Sequence, residues 1–232
     1  MAGAGDKKLV RSKSGLRMVC VNERFRSPFE LEEPPWIPDN ECLECMECHV
    51  RFDLMKRRHH CRRCGKCFCN VCCGNSIALP RMAFVDPVRV CGTCVPVTRK
   101  ENEFFDKHIK VLMNGAHFLV SDDSIDENEN ETFLCKLTQD HRHISFEGGE
   151  NAKHPPIQLD QITAVQIITS ADETQGHIVG KGLTLKHKQQ GQMTQSKLMV
   201  SESHNRKQSM TWLASMQKAM KMIHEARGDS ES

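Results

Sequence analysis

The sequence predicts an α+β protein of two unlike modules, a small cysteine-braced finger followed by a curved antiparallel sheet that a C-terminal helix closes. Three observations predict it. Eleven of the 13 cysteines crowd into Cys42–Cys94, mostly as CxxC pairs. Beyond that block the cysteines nearly stop, and seven short runs with strand-like alternation begin. Near the C-terminus the apolar period changes to Trp212, Met216, Ala219/Met220 and Ile223, which is helical spacing.

Taken in order, residues 1–33 hold basic residues, serines and glycines without sustained apolar periodicity and lead into Glu32-Glu33-Pro34-Pro35, which predicts a flexible tail. Residues 34–98 form the cysteine-rich module and residues 99–232 the sheet module. The expected strands are His117–Val120, Phe133–Leu137, His143–Phe146, Ile157–Asp160, Ala164–Thr169, Leu183–His187 and Lys197–Val200. Turns are expected at Gly148-Gly149, Gly180-Lys181-Gly182 and Gln190-Gly191, and a helix stop at Gly228. The helix's apolar stripe is expected to fill the core rather than face a membrane, because a barrel of short strands needs a plug.

At 232 residues the chain has room for two small cores. No apolar run approaches the roughly 20 residues that a membrane span needs. Met1-Ala-Gly-Ala has no apolar leader and carries its glycine at position 3, and Gly228-Asp-Ser-Glu-Ser has no cysteine for prenylation. The expectation is reversible membrane attachment, if any, through a folded surface. The formal charge of +2 conceals strong local asymmetry. Arg51–Lys66 holds seven Lys/Arg against Asp53 alone, whereas Ser121–Glu131 holds six acids and no base. The acidic run lacks the glycine and final glutamate of a calcium loop, with Glu127 and Phe133 in those places, and reads as a solvated loop.

Cysteines crowded into CxxC pairs, in a chain with no visible export signal, favour metal thiolates over disulfides. Spacing alone leaves the ligand register open, because Cys42/Cys45/Cys48 and Cys61/Cys64/Cys67 each allow two pairings. An iron–sulfur cluster is excluded at both runs, where Phe52 and Val71 stand in place of the fourth cysteine.

Three motifs carry a resemblance. Trp36-Ile-Pro-Asp39, Arg57-Arg-His-His-Cys-Arg-Arg-Cys-Gly65 and Arg89-Val-Cys91 resemble, in order, the WxxD, R(R/K)HHCRxCG and RVC motifs of the FYVE zinc fingers. The resemblance covers roughly 60 residues, and the sheet module resembles the pleckstrin-homology (PH) superfold by pattern. The fold class is then α+β: a two-zinc cross-brace FYVE finger followed by a PH-like β-barrel or sandwich with a C-terminal helix.

The family's plan implies two Zn²⁺ ions, one held by Cys45, Cys48, Cys69 and Cys72 and the other by Cys61, Cys64, Cys91 and Cys94. Cys42, Cys67 and Cys73 are left over and are expected to fill space as small buried hydrophobes. A closed four-thiolate zinc is structural, and each such ion contributes about 10–16 kcal/mol to folding. Each site also carries a charge of about −2, so residues 35–98, at +3 from nine bases and six acids, fall to about −1. Binding of an anion must therefore rest on local placement of charge.

The resemblance implies a phosphatidylinositol 3-phosphate pocket. Arg57, Arg58, His59, His60, Arg62 and Arg89 supply its basic wall, while Asp39 orients a histidine or the inositol hydroxyls. Guanidinium offers bidentate donors to phosphate, and protonated imidazole donates from both nitrogens. Arg63 and Lys66 lie outside the matched positions and are expected only to attract anionic lipid. Leu54 and Met55 occupy the place of the family's membrane-insertion loop, with core contacts of a zinc knuckle as the alternative. One departure is the stretch Cys73–Val90, which is slightly long, contains Phe84, Val85 and two prolines, and is expected to pack differently.

No catalytic constellation is visible, so a non-enzymatic adaptor is expected on the cytosolic face of endosomes and other cytoplasmic vesicles, and in the cytosol when unbound. The PH-like module, lacking a basic cluster like Arg51–Lys66, is expected to dock a protein partner. A weak dimer would add avidity. The alternative is a RING-like ubiquitin ligase on the same two-zinc plan, although RING ligands normally include histidine. Nucleic acid is not expected, since aromatic residues are 5% of the chain with no tyrosine and the stacking platforms are missing.

Overall fold

The computed structural model describes residues 7–122, 131–149, 154–171, 178–201 and 205–228. The chain divides into two units, one of residues 1–26 and 30–105, the other of residues 27–29 and 106–232.

The first unit opens where a flexible tail was expected. Strand β1 (Lys7–Arg11) pairs antiparallel with β2 (Leu16–Cys20) across the turn Ser12–Gly15, which is closed by reciprocal backbone hydrogen bonds of 3.0 and 3.3 Å. Strand β2 is held by the long loop noted above. Met18 N–H donates to Ala83 O at 2.8 Å, Val85 N–H to Leu16 O at 2.9 Å, and Arg17 Nε to Met82 O at 2.8 Å, with the Arg17 guanidinium 5.5 Å from the Phe84 ring centroid. Leu79, Met82, Phe84 and Val88 form a cluster of their own with Leu31. The extra length between Cys73 and Val90 is therefore a second small core, and the N-terminal hairpin covers it.

Two short ribbons follow, β3 (His59–His60) with β4 (Cys67–Phe68) and β5 (Asn75–Ile77) with β6 (Val88–Val90). Helix α1 (Val95–Glu103) starts with proline in its first turn, where a missing N–H costs nothing. The principal core here is largely sulfur. Cys45, Cys61, Cys69, Cys73 and Cys91 are buried with Phe68, Val90 and Val95. Glu101 of α1 is buried and paired with both Arg63, at 2.7 Å, and Arg81. Arg63 is thus committed to an internal ion pair, which corrects its expected role in attracting lipid. The chain passes from one unit to the other within a π-helical turn (Phe104–His108) that leads into α2 (Ile109–Asn114).

The second unit is a seven-stranded antiparallel sheet. Its strands are β7 (Ala116–Asp122), β8 (Glu131–Leu137), β9 (His143–Gly148), β10 (Ile157–Gln158), β11 (Ile162–Ala171), β12 (Ile178–Gln189) and β13 (Gln192–Val200), in the spatial order β10-β9-β8-β7-β13-β12-β11. Two meanders meet where β13 returns beside β7. Helix α3 (Arg206–Gly228) closes the unit, with Trp212, Leu213, Met216, Ala219, Met220 and Ile223 buried, and the Trp212 indole donates to Leu112 O at 3.2 Å. This is the PH-like architecture, and the helix stripe is core as expected. Phe29, from the stretch read as tail, is fully buried in this unit.

Two local expectations change. Leu159–Gln161 is a 3-10 turn that ends β10 early. Gly180 and Gly182 lie inside β12 and not at a turn. The register there shifts between Ile168↔Gly182 and Thr169↔Gly180, and a Cβ on Gly182 would meet Leu198 O at 2.5 Å. These glycines allow a bulge and a close backbone approach. Gln190 and Gly191, both at positive φ, do form the two-residue hairpin between β12 and β13. The acidic run at 123–130 lies outside the described residues.

Candidate metal centres and the basic wall

Each CxxC pair sits on a tight backbone knuckle. Cys45 O accepts from His49 N–H at 2.9 Å and Cys61 O from Gly65 N–H at 2.9 Å, with His49 at φ +56° and Gly65 at φ +70°. A left-handed residue after the second cysteine folds the loop back so that both sulfurs point the same way. At Gly65 no other residue fits, since a Cβ there would lie 2.2 Å from Pro35 O. That close approach, with Ile37 N–H donating to Gly65 O at 3.1 Å, seats the Trp36–Asp39 segment against the second knuckle.

The knuckles interleave. The sulfurs of Cys45, Cys48, Cys69 and Cys72 lie within 4.8 Å of one another, and so do those of Cys61, Cys64, Cys91 and Cys94. Four sulfurs at such separations suit a tetrahedral ion, and four thiolates need a cation to be packed together at all. At such close quarters the Cys64 thiol is pushed up to about 11, foremost by the Cys61 sulfur. These are the two zinc sites, in the register that the family resemblance implies. Zinc bound there has no open position for water or substrate, so it holds shape. The three cysteines left over within the Cys42–Cys94 block, Cys42, Cys67 and Cys73, are buried as expected.

On this scaffold the segment His59–Arg62 and the Trp36 segment face each other. His60 is buried, its Nε2 donates to Ile37 O at 2.8 Å, and Asp39 Oδ1 lies 3.9 Å from the same nitrogen. Arg62 lies 5.1 Å from the Trp36 ring centroid and donates to Ser14 O at 2.9 Å and His60 O at 2.8 Å. Arg89 donates to Asn70 Oδ1 and Cys73 O, both at 2.8 Å. Arg58 donates through Nε to Cys42 O at 2.6 Å and packs over Phe52, while Arg57 is exposed. Burial, then the charges of Arg89, Arg62 and Arg57, hold His59 below the usual histidine range. Local field and geometry thus gather Asp39, Arg57, His59, Arg62 and Arg89 around His60, which is itself buried with Nε2 taken by Ile37 O, and turn Arg58 toward Cys42.

Leu54 and Met55 are 94% and 91% exposed at the tip of a loop that Asp53 builds, its Oδ1 accepting from Met55 N–H at 2.8 Å and Lys56 N–H at 2.7 Å. The alternative of core contacts is excluded. Sequence reasoning missed Ser14, whose carbonyl holds Arg62, because no local pattern links the hairpin turn to a residue 48 positions away.

Two family models match the chain, one described as FYVE zinc finger over residues 35–100 and one described as Zinc finger FYVE domain-containing protein 21 C-terminus over residues 103–228. Among curated proteins, Lateral signaling target protein 2 homolog of Brugia malayi is 48% identical over 89 residues, 35% of this chain and 14% of that protein. Zinc finger FYVE domain-containing protein 16 of Mus musculus is 44% identical over 73 residues, 32% of this chain and 5% of that protein. RUN and FYVE domain-containing protein 1 of Homo sapiens is 40% identical over 83 residues, 36% of this chain and 11% of that protein. The chain thus spans a small part of these relatives' lengths. Among solved structures, the LM5-1 FYVE domain from Leishmania major aligns at 34% identity over 29% of this chain and 81% of that one, with a TM-score of 0.28. A PH domain from TgAPH aligns at 15% identity over 53% of this chain and 92% of that one, with a TM-score of 0.36.

Proposed function

Because the chain belongs to the family described as Zinc finger FYVE domain-containing protein 21 C-terminus, with a FYVE finger ahead of that region, we propose that it is a peripheral, non-enzymatic membrane adaptor. In this reading the FYVE finger binds phosphatidylinositol 3-phosphate on the cytosolic face of endosomes, and the PH-like unit docks a protein partner. The observation that carries the reading is a rigid cationic wall on the same zinc scaffold as a loop tip with Leu54 and Met55 almost fully exposed. Guanidinium and imidazole donors meet phosphate oxygens, Asp39 accepts from inositol hydroxyls, and the two apolar side chains enter the bilayer interface. A RING-like ligase has no separate support, since the FYVE model accounts for the same two-zinc plan over residues 35–100.

The test is vesicle sedimentation across a panel of all phosphoinositides with the zinc-loaded chain and its Arg57→Ala variant. Arg57 is exposed, so its removal leaves the finger folded. Selective binding to the 3-phosphate lipid, weakened in the variant, supports the reading. Wild-type binding without 3-phosphate preference overturns it.

A further inference from the structure

Three donors outside the two four-cysteine sites converge on one point. Two cysteines that the zinc sites leave over, Cys42 and Cys67, bring their Sγ atoms together with a ring nitrogen of His60, all within 4.8 Å of one another. All three residues are buried, at 3%, 0% and 8% exposure. The convergence is set by backbone, because His60 and Cys67 are directly opposed partners in the β3–β4 ribbon.

The imidazole is also held in place. Its Nε2 lies 2.8 Å from Ile37 O, and a carbonyl can only accept, so Nε2 carries the proton and the lone pair of the neutral ring sits on Nδ1. Metal-bound histidines almost always show this arrangement, with the second ring nitrogen donating to a carbonyl or carboxylate that fixes the ring. Trp36 fixes the ring plane further by stacking on it at 4.6 Å. A space-filling role explains a buried cysteine such as Cys73, but it does not call for two sulfurs opposite an oriented imidazole.

We propose that Cys42, His60 and Cys67 form a third metal site, of Cys₂His type, for a thiophilic ion such as Zn²⁺ or Cu⁺. Two thiolates and an imidazole suit those soft or borderline cations and disfavour Mg²⁺ or Ca²⁺. Binding is a proton exchange with no change of oxidation state. The Cys42 and Cys67 thiols release their protons to solvent, and the two sulfurs and the ring nitrogen that faces them each donate a lone pair to the ion. With three ligands instead of four the site is weaker than its neighbours and fills after them.

The experiment is metal stoichiometry of the full chain under reducing, anaerobic conditions, read by native mass spectrometry, first with Zn²⁺ and then with Cu⁺ added to the two-zinc form. The expected result is a third equivalent in the wild type and two in Cys42→Ser/Cys67→Ser, with Cys73→Ser still binding three. A wild type that stops at two ions with both metals overturns the proposal, and so does a double variant that keeps the third. Cobalt titration of the wild type decides without mutation. The third equivalent should add about half the thiolate-to-metal absorbance of each earlier one, because it brings two sulfurs instead of four, and a third increment as large as the others overturns the assignment. No arm involves lipid, so the outcome is independent of the vesicle panel.

Discussion

Trp36 and His60 stack with ring centroids 4.6 Å apart and planes 13° from parallel. Arg62 caps the other partner of this pair, 5.1 Å from the indole, so one tryptophan holds two residues of the basic wall. An aromatic contact of this kind is worth about 1 kcal/mol beyond its buried area. Trp36→Ala should therefore weaken binding to vesicles containing phosphatidylinositol 3-phosphate by at least fivefold, roughly the factor that 1 kcal/mol gives, while Trp36→Phe loses less. Surface plasmon resonance on captured vesicles measures both. Equal losses in the two variants would count against a stacking role.

The exposed tip separates bilayer affinity from headgroup affinity. Leu54 and Met55 touch little protein, and burying each in a membrane interface is worth about 1.5–3 kcal/mol at best. Leu54→Ala/Met55→Ala should lower vesicle affinity about tenfold or more while calorimetry with soluble inositol 1,3-bisphosphate stays unchanged. A matching fall in soluble headgroup binding would show that the tip shapes the pocket instead.

Protonation of His59 sets a pH window. Burial, then the neighbouring arginine charges, lower its folded value below the ordinary 6.5, and a bound phosphate favours the protonated ring. Vesicle binding should therefore strengthen as pH falls, with the gain centred below pH 6.5, and His59→Gln should flatten it. Binding that changes only above pH 7 would contradict the assignment.

The zinc sites and the sheet unit should fail separately. The finger's core is largely cysteine sulfur, whereas the second unit buries Trp212, Phe118 and a full set of aliphatic side chains, with no cluster of metal-ligating residues among its described residues. Cys64→Ser should release zinc and unfold the first unit, since each structural ion supplies about 10–16 kcal/mol. One cooperative thermal transition, reported by Trp212 fluorescence in a Trp36→Phe background, should persist. Loss of that transition as well would mean that the second unit depends on the first.

What could be read from sequence was what local spacing encodes. Four CxxC knuckles at fixed intervals name their own ligands once three motifs set the register, and period-2 runs place all seven strands, five of them to within two residues at each end, while β12 and β13 begin five residues earlier than expected. What could not be read was non-local. The hairpin β1–β2 has strands of only five residues, the first with just Leu9 and Val10 apolar, and its partner, Ala83–Val85, lies more than 60 positions away, so it looked like a tail. Gly180 and Gly182 looked like a turn because a glycine pair signals positive φ or close approach equally well, and here the approach of Leu198 O decided. Arg63 looked like part of the basic patch because its partner, Glu101, comes from a helix after the last zinc ligand. The convergence of Cys42, His60 and Cys67 was hidden for the same reason.

A buried polar cluster makes the second unit acid-sensitive. His187 is 3% exposed, its Nε2 lies 3.0 Å from Ser196 Oγ, and Ser196 in turn donates to Asp122, which pairs with His154 at 2.9 Å. Burial lowers the folded value of His187, and Asp122, which burial alone would raise, is left below its usual range by the neighbouring His154 and Ser196. In both cases the unfolded chain takes up the proton first, so stability is full above the unfolded value and declines as pH falls through it. For His187 the decline begins near pH 6.5, at up to about 1.4 kcal/mol per pH unit until the folded value is reached, and Asp122 adds its share below about pH 4. Urea unfolding followed by Trp212 fluorescence in the Trp36→Phe background, at pH 7.0 and 5.5, should therefore show a loss of stability that His187→Gln largely removes. A variant with the same pH slope as its parent would place the acid sensitivity elsewhere in the unit.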